Sequence, residues 1–195
     1  MVYLVLLLVV WQGTGDAQTL ELHPIDRGEL GEVDIAVVAD LGEARASGIS
    51  FYVAIPEGAF AVLGSERPFA QGPLLAPAME FANTTIFSTE ALGGPAGTVL
   101  LPYAAVRGPG AARGRSGRGI AARFTLLPLG SGPSWVRLIS TPIYESKLVL
   151  EDGLGEEPFR FLGEIELTGS NVQRSKSVPD GQRTWGRIKT IIAAP

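Results

Sequence analysis

From Thr19 onward the chain reads as apolar and polar residues in alternation, cut at short intervals by Gly, Pro and Asp. Alternation with period two places successive side chains on opposite faces of a strand, and frequent turn residues limit each strand's length. In GEVDIAVVADL, Val33, Ile35 and Val37 fall on one face and Asp34, Ala36 and Val38 on the other. In SGISFYVAIPEG, Ile49, Phe51, Val53 and Ile55 oppose Ser50, Tyr52 and Ala54, and Pro56 stops the ladder because it has no N–H to donate. TLELHP predicts a short first strand and AFAVLG another, around Phe60 and Val62. Between Arg67 and Leu92 the pattern loosens, leaving short strands near Met79–Phe81 and Ile86–Ser88. It sharpens again at GTVLLPYAAV, RGIAARFTLLPL, SWVRLIS, SKLVLED and FRFLGEIELTG. These segments predict an all-β fold of about nine strands, with no helical period inside the domain. Because each strand has one apolar face to bury, two packed antiparallel sheets in a jelly-roll sandwich satisfy the pattern.

The stretch AARGRSGRGIAARFTLLPL sets arginines among glycines directly before an alternating run. With Gly119 at the turn, Ile120, Ala122, Phe124 and Leu126 point one way, so the glycines end a loop and start a core strand. Their spacing matches neither a dinucleotide fingerprint nor a Walker loop, and no helix pattern follows to present amides to phosphate. No aromatic residue interleaves with Arg107, Arg113, Arg115 and Arg118 for base stacking, and the net charge is -4, so nucleic acid is not an expected partner.

Outside the alternating region the character changes twice. Val2–Trp11 is continuously apolar, shorter than the ~20 residues that span a bilayer, and small residues at Gly15 and Ala17 precede Gln18 as in a cleavage site. Residues 1–17 therefore read as a signal peptide, although no Lys or Arg precedes the apolar run. The mature chain then has no membrane span and is secreted or held at the cell surface. Residues 18–169 form the domain. Residues 170–195 begin as a polar linker and continue into a short tail in which Trp185, Ile188 and Ile192 share one helical face.

The 195 residues include no cysteine and one histidine, which removes disulfides, thiolate metal sites and multi-histidine sites together. An exported chain without cysteine points to a bacterial source. His23 has no nucleophile elbow to pair with. The carboxylates Asp34, Asp40, Glu57, Glu80, Glu145, Glu151, Asp152, Glu156 and Glu157 form no distinctive pair, and EDGLGEE reads as a solvated loop between strands. No catalytic residue and no metal site is assigned. The Asn83-Thr84-Thr85 sequon carries no assignment either.

Several of these segments resemble cohesin domains. The run G-R-G-I-A-A-R-F-T-L is similar to the family's Gly-x-Gly turn leading into a strand, followed here by GSGPSWVRLIS. GEVDIAVVADLGEARASGISFYVAIPEGAFAV is similar to the family's opening strands, and the close of EPFRFLGEIELTG, with Gly163, Ile165 and Leu167, to its last strand. The resemblance spans most of Thr19–Gly169. It departs from the family at YVAIPEG, where a cohesin typically has a tyrosine-aspartate-proline turn, and in the basic loop. It implies a jelly-roll sandwich that acts as a non-catalytic, monomeric receptor for a dockerin-like protein. Calcium would sit on the partner and no cofactor on this chain. Contacts would come from outward side chains of the central strands, for which Tyr52, Tyr103, Arg123 and Thr125 are the candidates. The same superfamily includes carbohydrate-binding modules, and direct polysaccharide binding through Trp135 is the alternative.

Overall fold

The computed structural model describes residues 17–86, 89, 95–108, 114–141, 143, 145–151, 153, 155–168 and 172–174. The expected signal peptide and the Trp185 tail lie outside them, as do residues 109–113 of the arginine-glycine loop. Strands β1 (Thr19–Arg27), β2 (Val33–Asp40), β3 (Ala46–Pro56), β4 (Phe60–Val62), β5 (Ala70–Gln71), β6 (Met79–Asn83) and β7 (Thr98–Val106) come first. They are followed by β8 (Arg118–Pro128), β9 (Ser134–Ile139), β10 (Lys147–Leu150), β11 (Glu156–Pro158), β12 (Arg160–Phe161), β13 (Glu164–Leu167) and β14 (Val172–Arg174). The described residues include no α-helix.

These strands form two sheets. The first runs β12-β1-β2-β8-β4, with β5 also along β8. The second has β3 at its centre, flanked on one side by β7 and then β6, and on the other by β10 along its first half and β9 along its second. β13 and β14 extend that sheet beyond β9, and β11 extends it beyond β10. The predicted alternation decides what lies between the sheets: Val33, Ile35, Val37, Phe51, Val53, Ile55, Leu101, Phe124, Leu126, Val136 and Ile165 are all buried in one cluster. Its centre is aromatic, with Phe69 packed at 5.2 Å from both Tyr103 and Phe124, and Phe51 stacked on Tyr103 at 5.1 Å.

Several boundaries differ from the sequence expectation. The turn before β8 is at Gly117, whose φ of +81° suits glycine, and Gly119 is already paired with Ala39. The β2–β8 register shifts between Val37 and Val38, so Ile120 stands opposite Val38 on the outer side and Ala121 joins the core instead. EDGLGEE, expected as a loop, supplies the start of β11: Glu156 and Glu157 pair with Val149 and Leu148 of β10. After β11 the chain changes sheet twice: Arg160–Phe161 pairs in parallel with β1, and Glu164–Leu167 returns to pair with β9. β14 lies beyond the expected domain end at Gly169, because a three-residue edge strand is held by its backbone pairing to β13 and needs no apolar pattern.

Candidate functional site

A sandwich has two outer faces, and here they differ in chemistry. On the outer face of the first sheet, Glu21 accepts from Arg118 at 3.1 Å and bonds the His23 ring at 2.6 Å, and Thr125 donates to Asp34. Arg123 stands between Ala36 of β2 and Ala70 of β5 and is exposed. The polar groups of this face bond one another around the apolar Ala36, Val38 and Ile120.

On the outer face of the second sheet the residues between the inward positions of β3, β7 and β9 are mostly apolar. Ala54, Leu100 and Ile139 form a small cluster of their own, against which Tyr52, Ile86 and Trp135 pack half-buried. Pro102 lies opposite Tyr52, and Ala104 opposite Ser50. At the β6 edge, Met79 faces Val106 and is 57% exposed, and Phe81, the extra residue where the register shifts, is 68% exposed. Apolar residues on this face thus extend from Met79 at the β6 edge across Pro102 of β7 to Tyr52 and Ile139, with the exposed Phe81 at the β6 bulge. Toward β13 they give way to charge: Arg137 lies 3.9 Å over the Trp135 ring and pairs in register with Glu164, beside Glu166. Burial holds the Glu164 carboxyl above the usual carboxylate range, with Glu166 adding to the effect and Arg137 opposing it. Burial likewise lowers the proton affinity of Arg137.

The four partner-binding candidates therefore do not share a surface. Tyr52 is on the outer face of the second sheet. Arg123 and Thr125 are on the outer face of the first, across the full thickness of the sandwich. Tyr103 is a correction: it is 1% exposed, in the aromatic core, because β7 directs 99, 101, 103 and 105 inward. Its hydroxyl lies near Gln71 and Glu80 but closes no hydrogen bond, and burial, followed by the Glu80 charge, pushes its pKa up to about 12. Trp135 is outward as expected, with Val136 and Leu138 inward, yet one ring face is already occupied by Arg137. Phe81 and Met79 escaped sequence reasoning because they lie in a loosely patterned stretch. Their only signal was apolar residues on a short strand between prolines.

Beside β6, where one edge of each sheet meets, Arg67, Phe69, Ala70, Gln71, Ala78 and Glu80 line an open cleft. Its walls are joined by two side-chain amides. Asn83 accepts from Phe69 N at 2.9 Å and donates to Phe69 O at 2.8 Å and to Glu80 at 3.1 Å. Gln71 accepts from Ala78 N at 3.1 Å and donates to Ala78 O at 2.9 Å. The sequon asparagine is thus engaged in a structural clamp. Among the described residues no group of three or more His, Asp or Glu is arranged to hold a metal.

Comparison with solved structures decides the fold. A type II cohesin from the cellulosome of Acetivibrio cellulolyticus matches with a TM-score of 0.57 at 12% identity, over 77% of this chain and 95% of that one. The fold is that of the cohesins. A cohesin in a type I cohesin–dockerin complex from Clostridium thermocellum matches with a TM-score of 0.54 at 9% identity, over 78% of this chain and 99% of the other. The seventh ScaB type I cohesin of Pseudobacteroides cellulosolvens matches with a TM-score of 0.51 at 10% identity, over 86% and 98%. No protein-family model and no curated protein matches the chain. In this cohesin-like fold the outer face of the second sheet combines exposed apolar groups with a charged flank, the surface chemistry suited to binding another macromolecule.

Proposed function

We propose that this chain is a non-catalytic, cohesin-like receptor that captures a dockerin-type protein on the outer face of its second sheet, and that it acts after export, in the extracellular space or at the cell surface. The observation that carries the reading is the run of apolar residues on this face, Tyr52, Pro102, Ile139 and Met79, with Phe81 68% exposed at the adjoining β6 edge. Tyr52 and Phe81 are the anchors: large side chains with apolar bodies, of the kind that dominate interface energies. Glu164, Glu166 and Arg137 form the rim that selects partners by charge. Calcium belongs to the partner. The occurrence of one structural neighbour in a complex with a dockerin supports the partner class. Arg123 and Thr125 take no part in this surface. The polysaccharide alternative through Trp135 is weakened by the Arg137 guanidinium on its ring.

Paired baits test the proposal: the native chain and a Tyr52→Glu, Phe81→Glu variant, each run against secreted proteins of its own source with calcium or with chelator. A dockerin-containing protein retained only by the native bait, and released by chelator, is the expected result. Equal retention by both baits would remove the second sheet from consideration, and retention only on insoluble polysaccharide would replace the receptor reading altogether.

A further inference from the structure

The face just described has a candidate occupant within the same chain. Residues 175–195 follow directly on β14, the edge strand of the second sheet. They hold Lys176, Arg183, Arg187 and Lys189 against the single acid Asp180, and Trp185, Ile188 and Ile192 recur at spacings of three and four. The outer face of the sheet has the complementary distribution. Its β6–β7–β3 side is apolar, with Met79, Pro102 and Tyr52, and the β13 strand nearest the departing chain carries Glu164 and Glu166.

We propose that the segment Thr184–Ile192 covers this face in cis, with Trp185 and Ile188 on the apolar side and Arg183, Arg187 and Lys189 toward Glu164 and Glu166, so that any partner must displace it. The reach is sufficient. The ten residues 175–184 extend up to about 33 Å, and three strand spacings of about 4.8 Å carry the chain from β14 to β3 in roughly 14 Å. A tether this short holds the segment at an effective concentration in the millimolar range, so a contact with a dissociation constant of about 1 mM, too weak to retain a separate peptide at micromolar concentration, is populated about half the time. Only the consequence for partners rests on the docking reading; occupancy of the face does not.

The absence of cysteine makes the test direct. A nitroxide on Thr190→Cys in the full chain broadens nearby amide resonances, with an effect that falls with the sixth power of distance. The expected result is that Tyr52, Ala104 and Glu166 lose about half or more of their intensity, because a rate so steep in distance is dominated by the docked geometry, and lose more than Ala36 and Arg123 on the opposite sheet. Adding Trp185→Ser and Ile188→Ser to the labelled chain abolishes that contrast. Salt weakens it, because charge contributes to holding the segment. Equal broadening of both faces, or none, overturns the proposal. So does broadening of the same magnitude when the nitroxide is on an isotopically unlabelled chain mixed with a labelled one, which would assign the occupant to a second copy. No partner protein enters the experiment, so a negative outcome leaves the receptor reading standing, and failure to find a dockerin leaves this one standing.

Discussion

Replacing Tyr103 by phenylalanine removes one oxygen from the centre of the core and leaves the ring contacts with Phe51 and Phe69 in place. A hydroxyl taken out of water without a hydrogen bond costs about 1–3 kcal/mol, and the Tyr103 hydroxyl is buried and closes none. Tyr103→Phe should therefore stabilise the fold at neutral pH, by about 1 kcal/mol once some relaxation is allowed, or roughly 2–4 °C in Tm for a domain of this size. The phenol also gives the effect a pH signature. Its folded pKa of about 12 lies above the unfolded value near 10, so its contribution is intact below pH 10 and is lost as pH rises through 12. By pH 11 the native chain should have lost about 1 kcal/mol that the phenylalanine variant keeps, and the gap between the two should widen accordingly. Urea unfolding of both chains between pH 7 and pH 11, followed by circular dichroism and by tryptophan fluorescence, measures this. A variant less stable than the native chain at pH 7 would show that the hydroxyl is bonded to Gln71 or Glu80 after all. A gap that stayed constant with pH would refute the burial argument for its titration.

Two further substitutions test the junction between the sheets. Asn83→Ala strips the partners from both backbone groups of Phe69 and should cost about 2–3 kcal/mol in urea unfolding, whereas an unchanged midpoint would mean that water replaces the clamp at no loss. Gly72→Ala drives a Cβ into the Ile120 carbonyl on β8 and strains the 2.8 Å bond from Gly72 N to Ala121 O, for about 1–3 kcal/mol, while Gly130→Ala, with open space around it, should stay within about 0.5 kcal/mol. Equal effects at the two glycines in thermal melts would show that the close approach at Gly72 relaxes freely.

What was legible in the sequence follows from what period two can carry. It separates the two sides of a strand, and so Val33, Ile35, Val37, Phe51, Val53 and Phe124 were assigned to the core correctly, as were Val136 and Leu138 behind Trp135. It fails at a bulge, where one extra residue reverses the phase, and Ile120 and Ala121 exchanged roles for that reason. It also says nothing about strands held by backbone pairing alone. The short strands β5, β12 and β14 have two or three residues each, and their places are decided by partners 50 or more residues away or by a neighbouring hairpin edge. Tyr103 invites a surface role as a tyrosine, although the alternation of Val99, Leu101 and Ala105 around it points inward.

The candidate site posed a harder problem of the same kind. A strand pattern shows that a residue points away from the core, but a sandwich offers two such directions, and only long-range pairing says which sheet a strand joins. Tyr52 and Arg123 were both outward in the sequence, and they are on opposite sides of the molecule. Once the sheets are known, the distinction between the faces is chemical. The first sheet closes its outer side with Glu21, His23, Arg118, Asp34 and Thr125 bonding one another. The second leaves Met79 and Phe81 more than half exposed at an edge strand whose bulge discourages indefinite pairing with other sheets. Apolar groups more than half exposed on the outside of a sandwich contribute nothing to the core and carry a standing risk of aggregation, which something that covers them removes, whether a captured protein or the basic segment beyond β14.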